Sequence, residues 1–199
     1  MTRPSDKSAL RAALRSKRRS LDPSSLQTHA ASVADSLAAI ADTLAGPVAG
    51  YVAMDGELDP ANALAALRAR GVATLLPKLG EDGSKHMAFA VCDDVTQLVA
   101  GPHGTTQPDE DAPCLTPGLI LLPCVGIDAR GTRLGFGGGY YDRYCARQPS
   151  ALRIALAHDC QRAAHIPDED WDMPMDAALT ESGWLWFGAR ARPLLRVRG

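Results

Sequence analysis

The chain has 199 residues, 46% of them hydrophobic and 22% charged, with a formal net charge of −2. That is enough for one substantial core and excludes a fibrous or wholly disordered protein. No apolar stretch reaches the ~18 residues of a membrane span, and the basic start MTRPSDKSALRAALRSKRRS lacks the apolar segment of a secretory signal, so a cytoplasmic location without membrane association is expected; a monomer is the expectation for its assembly, though no feature of the sequence fixes it.

The first 20 residues carry seven Lys or Arg against Asp6 alone. Leu10, Leu14 and Leu21 can share one helical face while Lys7, Arg11 and Arg15 gather on another, which predicts a basic amphipathic helix over residues 5–20. Asp22-Pro23 supplies a cap followed by proline, and an Ala/Leu-rich second helix is expected to run to about Leu44, before Gly46-Pro47. VAGYVAM (48–54) reads as a buried strand. Asp59-Pro60 repeats the cap signal for a helix over ANALAALRAR, which ends at Gly71.

Strands are expected at 72–78, 86–92, 119–125 and 153–159, with a helix at 139–147 and a late strand in WLWFG (184–188). Residues Glu81 to Asp111 hold seven acids against Lys85, which reads as a solvated connection around a short strand. The alternation of helices with strands that are apolar throughout predicts an α/β fold: a single domain over residues 1–189, with a mostly parallel sheet covered by helices on both faces. Residues 190–199, ARPLLRVRG and its neighbours, read as an Arg-rich tail without a partner.

Five cysteines (Cys92, Cys114, Cys124, Cys145, Cys160) form no CxxC pair, which argues against disulfides and zinc and for reduced, mostly buried thiols. His29, His86, His103, His158 and His165 show no metal-ligand spacing and are read as structural or exposed. Trp171, Trp184 and Trp186 are read as packing residues, and Asp128 as fixing a turn.

The unusual stretch is GTRLGFGGGYYDRY (131–144), which follows the apolar strand LILLPCV. In an open parallel sheet, ligands sit beyond the carboxyl ends of strands, where this loop lies. Its glycines permit close approach of backbone N–H groups to an anion, the helix starting near Tyr140 adds its positive dipole end, and Arg133 can grip phosphate oxygens. A Walker A loop is excluded for want of a lysine followed by Ser or Thr, and a dinucleotide fingerprint because Tyr140 stands where the third glycine belongs. Spacing alone leaves a phosphate cradle and a structural turn both open. Asp142 is either a helix-dipole acid, which spacing favours, or a magnesium ligand.

The run D-x-x-G-x-R-L-G-x-G-G-G-Y-Y-D-R, residues 128–143, resembles the signature of the 5-formyltetrahydrofolate cyclo-ligase family, also called 5,10-methenyltetrahydrofolate synthetase. KSALR (7–11), YVAMDGELDP (51–60), LLPK (75–78), MAF (87–89), RIALAHDCQ (153–161) and PMDAALTE (174–181) extend the resemblance in order along the chain. It implies a fold related to the sugar-phosphate isomerase and coenzyme-A-transferase group. It also implies an ATP- and Mg2+-dependent reaction in which the formyl oxygen of 5-formyltetrahydrofolate is phosphorylated and 5,10-methenyltetrahydrofolate forms, with release of ADP and phosphate.

By the same resemblance, Lys7, Ser8, Ala9, Leu10 and Arg11 of the first helix would meet ATP, together with Arg133, Leu134, Gly135, Phe136, Gly137, Gly138, Gly139, Tyr140 and Tyr141. Arg133 and Lys7 would be catalytic. Val52, Met54 and Glu57, with Phe136, Gly137, Gly138, Gly139 and Tyr140, would hold the folate, and Asp142 and Asp176 the metal. The chain departs from the family pattern at Phe136, where tyrosine or arginine is usual, and at Gln107, which replaces a glutamate. A nonenzymatic folate- or nucleotide-binding regulator is the alternative; a nucleic-acid partner for the basic helix is not expected, because it leaves the glycine loop unexplained.

Overall fold

The apolar run Leu119–Pro123 forms the central strand of a seven-stranded sheet in a computed structural model that describes residues 4–80 and 85–195. In chain order the strands are β1 (Val48–Ala49), β2 (Thr74–Leu79), β3 (Met87–Val91), β4 (Val99–Ala100), β5 (Thr106–Gln107), β6 (Leu119–Pro123), β7 (Gly126–Asp128), β8 (Arg133–Leu134), β9 (Leu152–Leu156), β10 (Arg162–Ala163), β11 (Ala177–Thr180) and β12 (Gly183–Trp186). The helices are α1 (Pro4–Arg19), α2 (Pro23–Ala38), α3 (Ala61–Arg68), α4 (Tyr140–Arg147) and α5 (Ala191–Leu195). The sheet order is β12-β11-β9-β6-β1-β2-β3; the inner strands are parallel, and β3 and β12 close the edges antiparallel. This is the expected α/β domain with a mostly parallel sheet.

Side chains alternate between two cores, which is why the inner strands read as unbroken apolar runs. Leu119 and Leu121 of β6, Ile154 and Leu156 of β9, and Ala177 and Leu179 of β11 pack with α2, α3 and α5. Ile120 and Leu122, Ala155 and Ala178 face the other way, against Phe89 and against Tyr144 and Cys145 of α4. Helix α1 belongs to neither core. It docks through Leu14 on Val125, Leu134 and Ile166, beside the small sheet β10-β7-β8.

Several boundaries differ from those predicted. Helix α2 stops at Ala38, where Arg70 takes the Ala38 carbonyl and Ile40 turns into the core; a short 3-10 turn, Ala41–Thr43, follows. Strand β1 pairs only through Val48 and Ala49. After the Gly50 N–H bonds to the Leu75 carbonyl at 2.9 Å, the chain leaves the sheet and turns through Asp55 and Gly56, both at positive φ. Helix α3 begins at Ala61 with Pro60 in the cap position, one residue later than expected, and Asp59 stands just ahead of it, its carboxylate accepting from Ala61 N–H at 2.9 Å.

Residues 191–195 of the expected tail are partnered: α5 buries Ala191 and Leu195 in the first core, and the Leu195 carbonyl accepts from Thr43 Oγ1 at 3.1 Å. The tail arginines Arg196 and Arg198, like Glu81 and Asp82 of the acidic connection, lie outside the described residues. Gln107 is buried in β5, where its side-chain oxygen accepts from the Leu79 N–H at 2.9 Å. Asp128 fixes its turn as expected, accepting from the amides of Arg130, Thr132 and Ile166 at 2.9–3.0 Å. All five cysteines are free thiols, with Cys114 exposed. Among the described residues no helix is long and apolar enough to cross a membrane.

Candidate active site

Strands β1 and β6 run parallel and release the chain at the same end of the sheet, and a cleft of about 1330 Å³ opens there. Its lining includes the loop after β1 with Val52, Met54 and Glu57, the glycine loop from β8 into α4, and one face of α1, with the edge of β2 and β3, residues 103–106 and residues 169–172 completing it. Residues four apart lie on one side of a helix, so Lys7, Arg11 and Arg15 present a single cationic face to the cleft. Lys7 donates to Asp172 at 2.8 Å and lies 3.6 Å from Glu169, Arg11 donates to the Gly135 carbonyl at 2.8 Å, and Arg15 donates to Asp55 at 2.9 Å.

The glycine loop is shaped by backbone angles that side chains resist. Gly137 has φ +100°, and Gly139, at φ +67°, is the residue before α4, whose first turn has no side-chain cap. Arg133 enters from β8. Its Nη2 donates to Asp142 at 2.9 Å and its Nη1 to the Pro123 carbonyl at 3.2 Å, its guanidinium lies 5.7 Å from the centre of the Tyr141 ring, and its Nε is buried without a hydrogen-bond partner among the described residues. The guanidinium lies under the loop, its Nη1 2.9 Å from where a Cβ on Gly135 would stand.

The wall after β1 is apolar with two acids, Asp55 and Glu57. Val52, Met54 and Phe136 are large hydrophobic side chains left 36%, 46% and 48% exposed, as a flat apolar ligand would require. Burial pushes the Glu57 carboxyl up to about 7, against the Met54 N–H that it accepts at 3.0 Å. Beside it, Asp55 accepts from Arg15, Arg18 and Arg19 at 2.7–3.0 Å, and the hydrogen bond from Arg19 leads in holding its carboxyl well below the usual range. Arg15 and Arg18 also lie within 6 Å of the Phe136 ring centre, joining α1 to the loop tip. Burial pushes the Cys124 thiol up to about 12, so it is no nucleophile at neutral pH.

Of the residues singled out from sequence, Lys7, Arg11, Val52, Met54, Glu57, the run from Arg133 to Tyr141, and Asp142 all line this one cleft. Ser8 and Ala9 face solvent, and Leu10 packs against the core beneath α1, because helical rotation turns them off the Lys7–Arg11 face. The structure does not bring Asp176 to the cleft either. It is buried at the start of β11, where its carboxylate accepts from the Arg153 N–H at 2.8 Å and Nε at 3.2 Å.

Sequence reasoning put Arg15 on the face of Lys7 and Arg11 but did not assign it to the site, and it read His103 only as structural or exposed, whereas its Nε2 lies 2.9 Å from the Tyr140 hydroxyl at the cleft. It read Trp171 as a packing residue; the ring is 69% exposed at the cleft rim, since residues 168–172 form a charged turn over Lys7 rather than a core element.

A sequence profile described as the 5-formyltetrahydrofolate cyclo-ligase family matches residues 3–181. The protein named 5-formyltetrahydrofolate cyclo-ligase from Escherichia coli K12 is 30% identical over 185 residues, covering 87% of this chain and 100% of its own; the one from Mycolicibacterium smegmatis is 30% identical over 186 residues, covering 89% and 94%. Among solved structures, the NMR structure of Aquifex aeolicus 5,10-methenyltetrahydrofolate synthetase superposes with a TM-score of 0.77 at 26% identity, covering 93% of this chain and 95% of that one.

Proposed function

The chain belongs to the 5-formyltetrahydrofolate cyclo-ligase family, and we propose that its cleft converts 5-formyltetrahydrofolate to 5,10-methenyltetrahydrofolate at the expense of ATP. The observation that carries this reading is the division of the cleft: Lys7, Arg11 and Arg133 come together with the glycine loop on one side, and Val52 and Met54 bring apolar surface on the other, with Glu57 beside an Asp55 already held by arginines. A polyanion and a flat, weakly polar heterocycle suit those two sides.

In the proposed reaction the formyl oxygen attacks the terminal phosphorus of ATP, a phosphorus–oxygen bond forms, and the bond to the bridging oxygen breaks to release ADP. N10 then attacks the formyl carbon, loses its proton, and the carbon–oxygen bond breaks to release phosphate. Such phosphoryl transfer asks of a protein mainly positioning and charge neutralisation. The Arg133 guanidinium, which lines the cleft, and the loop amides ahead of α4 supply donors for the transferring group. Lys7 and Arg11 supply charge for the remaining phosphates, Lys7 exchanging Asp172 for a phosphate oxygen. Glu57 is the polar anchor for the pterin: its raised pKa lets ring N–H donors favour the ionised form on binding.

Of the two acids expected to hold magnesium, Asp142 fits. That carboxylate is a hard oxygen donor on the cleft wall, 22% exposed, and one of its oxygens is bonded to Arg133. Asp176 does not fit, being sealed beside Arg153. Magnesium held by Asp142 would supply charge neutralisation at the phosphates. The reading is tested by mixing the purified protein with 5-formyltetrahydrofolate, ATP and magnesium. The near-ultraviolet absorbance of the conjugated methenyl product should rise only when ATP is present; intact ATP and no product would reject it.

A further inference from the structure

Outside the cleft, three metal-ligating side chains that are remote in sequence converge behind the loop carrying Glu57. His29 comes from α2, His158 follows β9, and Glu181 follows β11; one ligand atom from each lies within 4.8 Å of the others, the only such group of three or more among the described residues. His29 Nδ1 and His158 Nδ1 are 2.8 Å apart, and His29 Nδ1 is 3.6 Å from a Glu181 carboxylate oxygen. The two histidines stand 129 positions apart, so no spacing rule reveals them.

The surroundings orient these groups as ligands. His158 is fully buried, and its Nε2 lies 3.2 Å from the Gly56 carbonyl, an acceptor only; Nε2 therefore carries the proton and Nδ1 presents its lone pair toward His29. A second bond of this kind from the far ring nitrogen to a backbone carbonyl is the usual support of a metal-bound imidazole. The Glu181 carboxylate is steadied by the Asp159 N–H, 3.1 Å from each of its oxygens. His29 is 17% and Glu181 20% exposed, which leaves a path for an ion and lets the His29 proton move to its outer nitrogen through water. The nearby Arg18 is turned to Asp55 at 3.0 Å, a carboxylate it shares with Arg15 and Arg19.

We infer that His29, His158 and Glu181 form a binding site for a divalent transition-metal ion of the zinc class, separate from the cleft. Two neutral imidazoles and one carboxylate are a donor set for zinc, cobalt or nickel, whereas magnesium and calcium prefer oxygen alone. A tetrahedral set with metal–nitrogen bonds of about 2.0 Å spaces the two nitrogens roughly 3.3 Å apart, so the ion replaces the shared hydrogen bond with a small ring displacement. Because His158 holds the Gly56 carbonyl, the ion would also stiffen the turn that presents Glu57.

The test uses the full chain stripped with a chelator. Calorimetric titration with zinc should show saturable binding of about one ion per chain, weakened at least tenfold in His29→Ala and in Glu181→Gln, with magnesium giving no such signal. In wild-type protein, zinc should shift the imidazole nitrogen resonances of His29 and His158, and cobalt should give tetrahedral visible bands without a thiolate charge-transfer band. Absence of saturable zinc binding, unshifted imidazole resonances, a thiolate band, or undiminished affinity in both variants would each overturn the assignment. The resonance and cobalt measurements need no variant, so they decide the matter even if a substitution unfolds the chain.

Discussion

Arg133 and Asp142 meet at 2.9 Å on the cleft wall, and Arg153 and Asp176 meet at 3.2 Å where β9 runs beside the start of β11. The residue types are the same and the distances close, but the second pair is closed on itself. Asp176 also accepts the Arg153 backbone amide at 2.8 Å and lies 3.6 Å from Arg190, which ties α5 to the sheet. The first pair keeps a buried guanidinium nitrogen without a partner and an acid that is 22% exposed to the cleft. An ion pair whose acid is sealed holds the fold, and one whose acid keeps a face on the cleft can hold a ligand.

Breaking each pair should therefore cost different things. The largest effect is expected for Arg133→Ala: turnover falls about 10³-fold, or about 4 kcal/mol of transition-state stabilisation, while circular dichroism stays native. Next, Asp176→Asn leaves Arg153 and its amide short of a carboxylate and should lower unfolding stability by about 3 kcal/mol in urea titration. Turnover per folded molecule should stay within about twofold of wild type, since this pair is expected to contribute no cleft charge. A collapse of turnover at unchanged stability would place Asp176 with the cleft after all.

Glu57→Gln sharpens the contrast through pH. Glu57 titrates near 7 in the folded chain against an ordinary value of 4.5, so the native state holds its proton more tightly than the unfolded state. Wild-type stability from this group is intact below about pH 4.5 and declines as the pH rises to about 7. The Gln variant lacks that decline, and should be more stable than wild type by about 2 kcal/mol above pH 7, part of the ionisation cost being screened by water in the cleft. Melting curves at pH 5 and pH 8 would show the gap open with pH, and folate binding should weaken about tenfold. The smallest effect belongs to Phe136→Ala: the ring is 48% exposed, so KM should rise a few-fold with no change in melting temperature.

Much of this was legible in the chain. LILLP and RIALA announced β6 and β9 because strands covered on both faces are apolar at every position, and the glycine loop was visible because its backbone needs glycine. Strand β11 was not read as a strand: Ala177 and Ala178 carry little side chain, and its burial comes from neighbouring strands. The role of α5 was hidden because two buried residues, Ala191 and Leu195, make no periodic pattern. Within the site, Lys7 and Arg11 were found through spacing and resemblance. The acids opposite the cationic face, Asp55, Glu169 and Asp172, were not, because their partners lie 36 to 165 positions away and pairing at that range is set only by the fold.

The account depends most on the formyl oxygen being the atom that receives the phosphoryl group in this cleft. 5-Formyltetrahydrofolate carrying heavy oxygen in the formyl group should be turned over with ATP, and the released phosphate analysed by mass spectrometry. One heavy oxygen in the inorganic phosphate for each methenyl product, with both lost together in Arg133→Ala, is the predicted result. Product formed with the label absent from phosphate would contradict it.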